Sequence, residues 1–277
     1  MKTKILLLGF IVFMGLVSTT KAQGLTGIAH YKSSSTIKFS MDSTKMAPEA
    51  MADIQRQLKK QLEKEYVLTF NQGESNWKQA ESLGAGPATA SSGGATIVIN
   101  TGGSDLVLYK NLAEQKYLEE KDLMGKEFLV KDDLKVFEWE LTGETKTIGN
   151  YTCQKATYTK IVDSKRFSTG MEEMEEFKDT VQVVAWYTDQ IPVSHGPSEF
   201  WGLPGLILEL QNNGSTMICE KIVLNPEEKF ELIVPKKGKE MTADEYRALA
   251  DEKMQDMMKK YQGKPGGEHQ MTIKIGN

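Results

Sequence analysis

Residues Val183 to Gln211, VVAWYTDQIPVSHGPSEFWGLPGLILELQ, constrain this chain more than any other stretch. An aromatic, β-branched run leads into a loop, and the loop ends in an apolar segment that opens a second strand. Three of the eight prolines (Pro192, Pro197, Pro204) and one of the three histidines (His195) fall within it. Leu203-Pro204-Gly205-Leu206 reads as a type II turn, with proline setting φ and Gly205 accepting a positive φ one position later. Gly202 and Gly205 would also let backbone or rings approach closely. Trp186, Tyr187, Phe200 and Trp201 lie within sixteen residues, and aromatics so placed either fill a core or line a cleft.

The rest of the chain is expected to be strand-rich. Turns between strands are marked by Gly125, Gly143, Gly149-Asn150 and, most clearly, Asn213-Gly214. Taking Asn213-Gly214 as a two-residue loop sets Leu210 opposite Met217 and Leu208 opposite Cys219, with Glu209 and Ile218 on the other face. Strands are expected at 105–111, 115–123, 126–130, 135–142, 151–161, 230–234 and 270–275. In the fourth of these, Phe137, Trp139 and Leu141 should face inward.

Two amphipathic helices flank this meander. One opens at Pro48 and carries the stripe Met51, Ile54, Leu58 and Leu62. The other opens at the capping box Thr242–Glu245 and carries Tyr246, Leu249, Ala250, Met254, Met257 and Tyr261. The expected class is α+β: a largely antiparallel β-meander forming a curved sheet or open half-barrel, with both helices packed on it. Residues 81–96, rich in Gly, Ala and Ser, read as a flexible loop, and 163–179 as an acidic insertion.

Residues 1–22 read as an export leader. Lys2 and Lys4 precede the apolar run Ile5–Val17, and Ala22 closes a small-residue cleavage site. The single mature domain would then be 23–277, periplasmic or secreted. Loss of three lysines shifts its net charge from −4 to about −7. That acidic balance argues against nucleic acid as a partner. No later run is long enough to span a bilayer. In an oxidising compartment Cys153 and Cys219 are a possible disulfide; two buried thiols are the alternative.

Chemistry is thinly represented. The sequence has no G-x-S-x-G, H-E-x-x-H, Walker A, C-x-x-C or G-x-G-x-x-G motif, and no cofactor or metal site is expected. A hydrolase would have to pair His195 with Ser194 or Ser198 and Glu199, which are too close in sequence to be presented well. Trp186, Tyr187, His195, Phe200 and Trp201 are therefore candidate ligand-binding residues, and Gly202, Leu203, Pro204 and Gly205 a structural turn.

FWGLPGLILEL, preceded by AWYTDQIPVSHGP, resembles the GLPGLI family of exported Bacteroidetes proteins. The likeness extends through LVLYKNLAEQKYLEEKDLMGKEFLV, WELTGETKTIGNYTCQKATYT and ICEKI, about 105–223. The resemblance implies an exported protein without assigned catalytic residues, whose genes often accompany TonB-dependent outer-membrane receptors. The expected architecture also looks like that of periplasmic lipoprotein carriers of the LolA/LolB type, by analogy alone. Three functions follow as expectations: binding of a hydrophobic small molecule, lipid or peptide; partnership with a TonB-dependent receptor; or hydrolysis through His195. A dry, packed interior would count against the first.

Overall fold

The computed structural model describes residues 24–35, 48–80, 88–92, 95–100, 107–166, 175–228, 230–262 and 271–274. The segment read as an export leader lies outside these residues, as do parts of the Gly/Ser-rich segment (81–87, 93–94) and of the segment read as an acidic insertion (167–174). In chain order the strands are β1 (Gly27–Ser35), β2 (Lys64–Phe70), β3 (Glu74–Gln79), β4 (Ala88–Ser92), β5 (Ala95–Asn100) and β6 (Val107–Asn111). They continue as β7 (Lys116–Leu123), β8 (Lys126–Asp133), β9 (Glu140–Ile148), β10 (Tyr151–Arg166) and β11 (Glu175–Thr188). The last are β12 (Leu206–Asn212), β13 (Ser215–Leu224), β14 (Lys239–Met241) and β15 (Met271–Lys274). Among the described residues the helices are α1 (Pro48–Gln61) and α2 (Ala243–Gln262).

The α+β expectation is overturned. The fold is mostly β, built on one open sheet of 12 strands in the order β14-β8-β7-β6-β3-β2-β1-β13-β12-β11-β10-β9. The sheet is mixed, because β14 pairs with β8 in parallel. Nor do two helices cover it. α1 packs through Ile54, Leu58 and Leu62 on Ala88 and Ala90 of β4, which belongs to a separate three-stranded sheet, β15-β5-β4. α2 meets the large sheet near its edge, where the Tyr246 ring lies 5.8 Å from that of Phe128 on β8. An amphipathic stripe requires a buried face but does not say which surface buries it.

The docking of α1 uses polar groups as well. The Gln61 side-chain amide donates to Thr89 O at 2.7 Å and accepts from Thr89 N at 2.8 Å. Gln57 makes the same exchange with Ser91, at 3.3 Å each way. Four helical residues rise about 6 Å and two strand residues about 6.8 Å, so two glutamines one turn apart match alternate residues of β4. They satisfy a strand edge that would otherwise be bare. The described part of the segment read as a flexible loop is thus largely strand.

The Asn213-Gly214 hairpin holds as expected: Leu210 pairs with Met217 and Glu209 with Ile218. Asn213 and Gly214 take φ of 45° and 79°, the conformation a two-residue hairpin loop requires. The capping box also forms, with Thr242 N donating to the Glu245 carboxylate and Glu245 N to Thr242 Oγ1. Of the strand expected at 135–142 only 140–142 forms, as the start of β9. Residues 134–139 run irregularly, β9 begins only at Glu140, and Leu141 is 61% exposed. Gly143 takes a φ of 78° beside a register shift in β10, so the edge strand is bulged and the simple alternation is lost. The strand expected at 230–234 is absent too. There the Asn76 amide stands in for a neighbouring strand, donating to Ile233 O at 2.7 Å and accepting from Ile233 N at 2.6 Å.

Cys153 and Cys219 are buried free thiols, so the disulfide is not formed. β11 and β12 lie between their strands. The two thiols are therefore not on neighbouring strands, where a cross-strand disulfide would most readily form. Burial pushes the Cys153 thiol up to about 11 and the Cys219 thiol up to about 12, leaving little thiolate. Folded protein is expected to leave a thiol-specific chromogenic reagent unreacted and to titrate both thiols once denatured; rapid reaction of the folded chain would refute this.

Candidate functional site

The loop between β11 and β12, residues 189–205, is part of the core. Ile191, Val193, His195, Phe200 and Leu203 are all 2% exposed or less. Ile191 and Val193 join the cluster of Ala29, Tyr31, Leu68, Phe70, Trp77, Leu108 and Leu208. Phe200 and Leu203 join Phe137, Ala156, Val183, Ala185, Tyr187 and Ile207. The loop therefore links two hydrophobic clusters, and its apolar residues obey burial as strictly as strand residues do.

The loop is held by a residue that strand reading overlooks. Lys110 on β6 is completely buried. Its Nζ donates to Gly196 O at 2.9 Å, Ser198 O at 2.7 Å and Phe200 O at 3.0 Å. Three carbonyls need three N–H donors, which only the ammonium form provides. Burial pushes Lys110 down to about 7, and the negative charge of Glu199 opposes that shift. Its signal in the sequence was a lysine sharing an inward strand face with Leu108, a position where alternation demands an apolar side chain.

His195 is also fully buried. Its Nε2 lies 3.0 Å from Asn71 O. A carbonyl can only accept, so Nε2 carries the proton and Nδ1 is bare. Nδ1 has no hydrogen-bond partner among the described residues. Asn71 is itself fixed, its Oδ1 accepting from Gly73 N and Glu74 N in the β2–β3 turn. The His195 ring thus hydrogen-bonds neither Ser194, Ser198 nor Glu199, the pairing a hydrolase would need. Burial, followed by the charge of Lys110, holds its imidazolium down to about 3.

The sign of the resulting linkage is definite. Between the ordinary histidine value of 6.5 and about 3, the unfolded chain binds a proton that the folded chain does not. Stability is therefore lost as pH falls through that window, by up to about 4 kcal/mol at its lower end. Urea midpoints measured from pH 7 to 4 should decline in the wild type and decline less in His195→Gln. Parallel curves would reject the assignment.

The other expected residues divide between core and surface. Tyr187 is buried, its hydroxyl 3.2 Å from Gln154 Oε1. Trp186 is half-buried on the opposite face, under Lys146, whose Nζ is 4.3 Å from the ring centroid and 2.6 Å from Glu209. Phe200 stacks on Phe137 with centroids 5.0 Å apart. Trp201 is half-buried; its Nε1 donates to Lys135 O at 2.8 Å, and its carbonyl accepts from Trp139 Nε1 at 2.9 Å. The aromatic core thereby reaches the surface through Trp139, Tyr158 and Trp201. Sequence reading missed Tyr158 and Lys135, because only the fold brings 135–139, β10 and the loop together.

The Leu203–Leu206 turn is not type II. Gly202, not Gly205, has the positive φ, 94°. Gly205 is required for space: a Cβ there would sit 2.0 Å from Thr188 O and 2.5 Å from its carbonyl carbon. Among the described residues no group of three or more His, Cys, Asp or Glu could hold a metal, and no helix is long and apolar enough to cross a membrane.

No curated protein matches the sequence. Among solved structures, the chain is similar to "Structure of PNGF-II in C2 space group", with a TM-score of 0.45 and 15% identity. That match covers 82% of this chain and 32% of the other. It is similar also to "Structure of PNGF-II in P21 space group", with a TM-score of 0.44, 14% identity and coverage of 81% and 33%. The chain spans about a third of the length of those proteins, and likeness at this level transfers no property. A family model described as "Protein of unknown function (Porph_ging)" matches residues 139–209, from Trp139 through β9–β11 and the core loop to Glu209 of β12.

Proposed function

We propose that this chain is an exported, non-enzymatic binding protein that engages a peptide or protein partner at its surface. The observation that carries the reading is the aromatic cluster, packed at Phe137 and Phe200 but half-exposed at Trp139, Tyr158 and Trp201. Aromatic faces with one side anchored bind at low entropic cost, because little freedom remains to be lost. Packing of the 189–205 loop in the core favours such a surface over an enclosed lipid or small-molecule cavity. The leader over 1–22 supports placement in the periplasm or outside the cell. The resemblance to GLPGLI proteins makes a TonB-dependent outer-membrane receptor the first partner to test.

The test is photo-crosslinking in the native host, with a photoreactive amino acid at position 136, followed by mass spectrometry. Val136 is 70% exposed beside the cluster. One discrete envelope protein cross-linked there is expected, with none from a probe placed at exposed Asp251. Native mass spectra showing a stoichiometric small molecule, together with no cross-link, would refute the reading.

A further inference from the structure

We propose that the edge of β10 from Tyr158 to Val162, flanked by Lys135 and Lys160, docks an extended acidic peptide segment of a partner protein. This deepens the preceding reading and rests on it.

The first observation is the backbone. β9 pairs with β10 only as far as Thr157, opposite Glu140, whereas β10 continues to Arg166. Among the described residues, no backbone hydrogen bond from another segment reaches Tyr158–Val162 on that side. Alternate residues of an antiparallel edge turn N–H and C=O outward, and among the described residues these groups have no strand partner on that side. An incoming strand would continue the line that β9 leaves.

The second observation is charge. Lys135 Nζ lies 5.7 Å from the Phe137 centroid and 5.6 Å from that of Tyr158. Lys160 Nζ lies 5.8 Å from the centroid of Phe200, the ring stacked on Phe137. Two ammoniums therefore share one aromatic stack. Neither has a carboxylate within ion-pair distance among the described residues, although nearby Glu199 attracts Lys160. Burial lowers the Lys160 pKa, and the charge of Lys135 lowers it further. On a chain of net charge −4, a cationic pair with no ion-pair partner among the described residues calls for an anionic partner.

The third observation selects the pattern. Tyr158 and Lys160 share one face of β10, while Ile161, 70% exposed, lies on the other. A strand beside them would set alternate side chains against lysines and against Ile161, which fits alternating acidic and apolar residues. Both indole N–H groups, the donors a sugar would use, are committed to Trp201 O and Lys135 O. That favours a peptide over a glycan.

The experiment uses the mature chain and a fluorescent peptide of alternating glutamate and valine, with alternating lysine and valine as control. The acidic peptide should bind and the basic one should not. Its affinity should fall about tenfold between ~50 mM and ~500 mM salt. The Lys135→Gln/Lys160→Gln double variant should bind about tenfold or more weakly, with a melting temperature within ~2 °C of wild type. Hydrogen exchange should show new protection at 158–162 in the complex. Equal binding of both peptides, unchanged affinity of the double variant, or no protection at 158–162 would each overturn the proposal. If the position-136 cross-link to an envelope partner persists undiminished in the double variant, this docking site falls while the broader binding role stands. Loss of every signal, the wild-type cross-link included, removes both.

Discussion

Replacing Lys110 by methionine is expected to bring this protein close to unfolding. Methionine keeps most of the buried stem but removes the ammonium that serves Gly196, Ser198 and Phe200. Each carbonyl left without a donor costs about 1–3 kcal/mol, so a total near 4 kcal/mol or more is expected. A domain of ordinary stability has only about 5–15 kcal/mol to lose. Urea denaturation of the chain followed by tryptophan fluorescence reads this directly. A loss below about 1 kcal/mol would mean that the loop is held by its apolar contacts alone. Glu199→Gln supplies the contrast, because it weakens the attraction toward Lys110 but removes no hydrogen bond to that lysine.

Gly205→Ala should be nearly as damaging, and for a different reason. The added methyl would meet the Thr188 carbonyl and, at 2.9 Å, Asp189 N. All three close atoms are backbone, so no side chain can swing away, and β11 or the loop must shift. Overpacking of this kind costs about 3 kcal/mol, and that lowers the melting point by roughly 6–12 °C in a domain of this size. Gly202→Ala is the informative companion. Its nearest neighbour is Trp139 Nε1 at 3.9 Å, so only its φ of 94° is strained, for about 1–2 kcal/mol. Equal effects at the two positions, or the reverse order, would show that the turn depends on φ and not on close approach.

These two residues show where sequence reading stopped. Gly205 was expected to matter for a positive φ and for close approach, and only the close approach holds. A Pro-Gly pair signals a type II turn locally, whereas the approach of Thr188 is visible only when β11 and β12 are paired. Lys110 was hidden inside LVLYKNL, because strand alternation assigns a side chain to a face without naming a partner 86 to 90 residues away. His195 drew attention as a lone histidine in a proline-rich loop; burial beside Lys110 makes it a fixed, neutral core residue.

Elements whose information is local could be read directly. The Asn213-Gly214 hairpin, the capping box at Thr242–Glu245 and the α1 stripe each depend on residues within one turn or one strand pair, and each formed. By contrast, the surface that buried α1, the failure of Cys153 and Cys219 to bond, and the meeting of Lys135, Tyr158, Lys160 and Trp201 all depend on strand order. Strand order follows from which long-range pairings bury the most surface and satisfy the most backbone groups. The sequence alone determined a β-rich chain whose pivotal stretch is 183–211. Only the tertiary structure decided that this stretch is a core clamp, because its charges and glycines take their meaning from groups brought to them across the sheet.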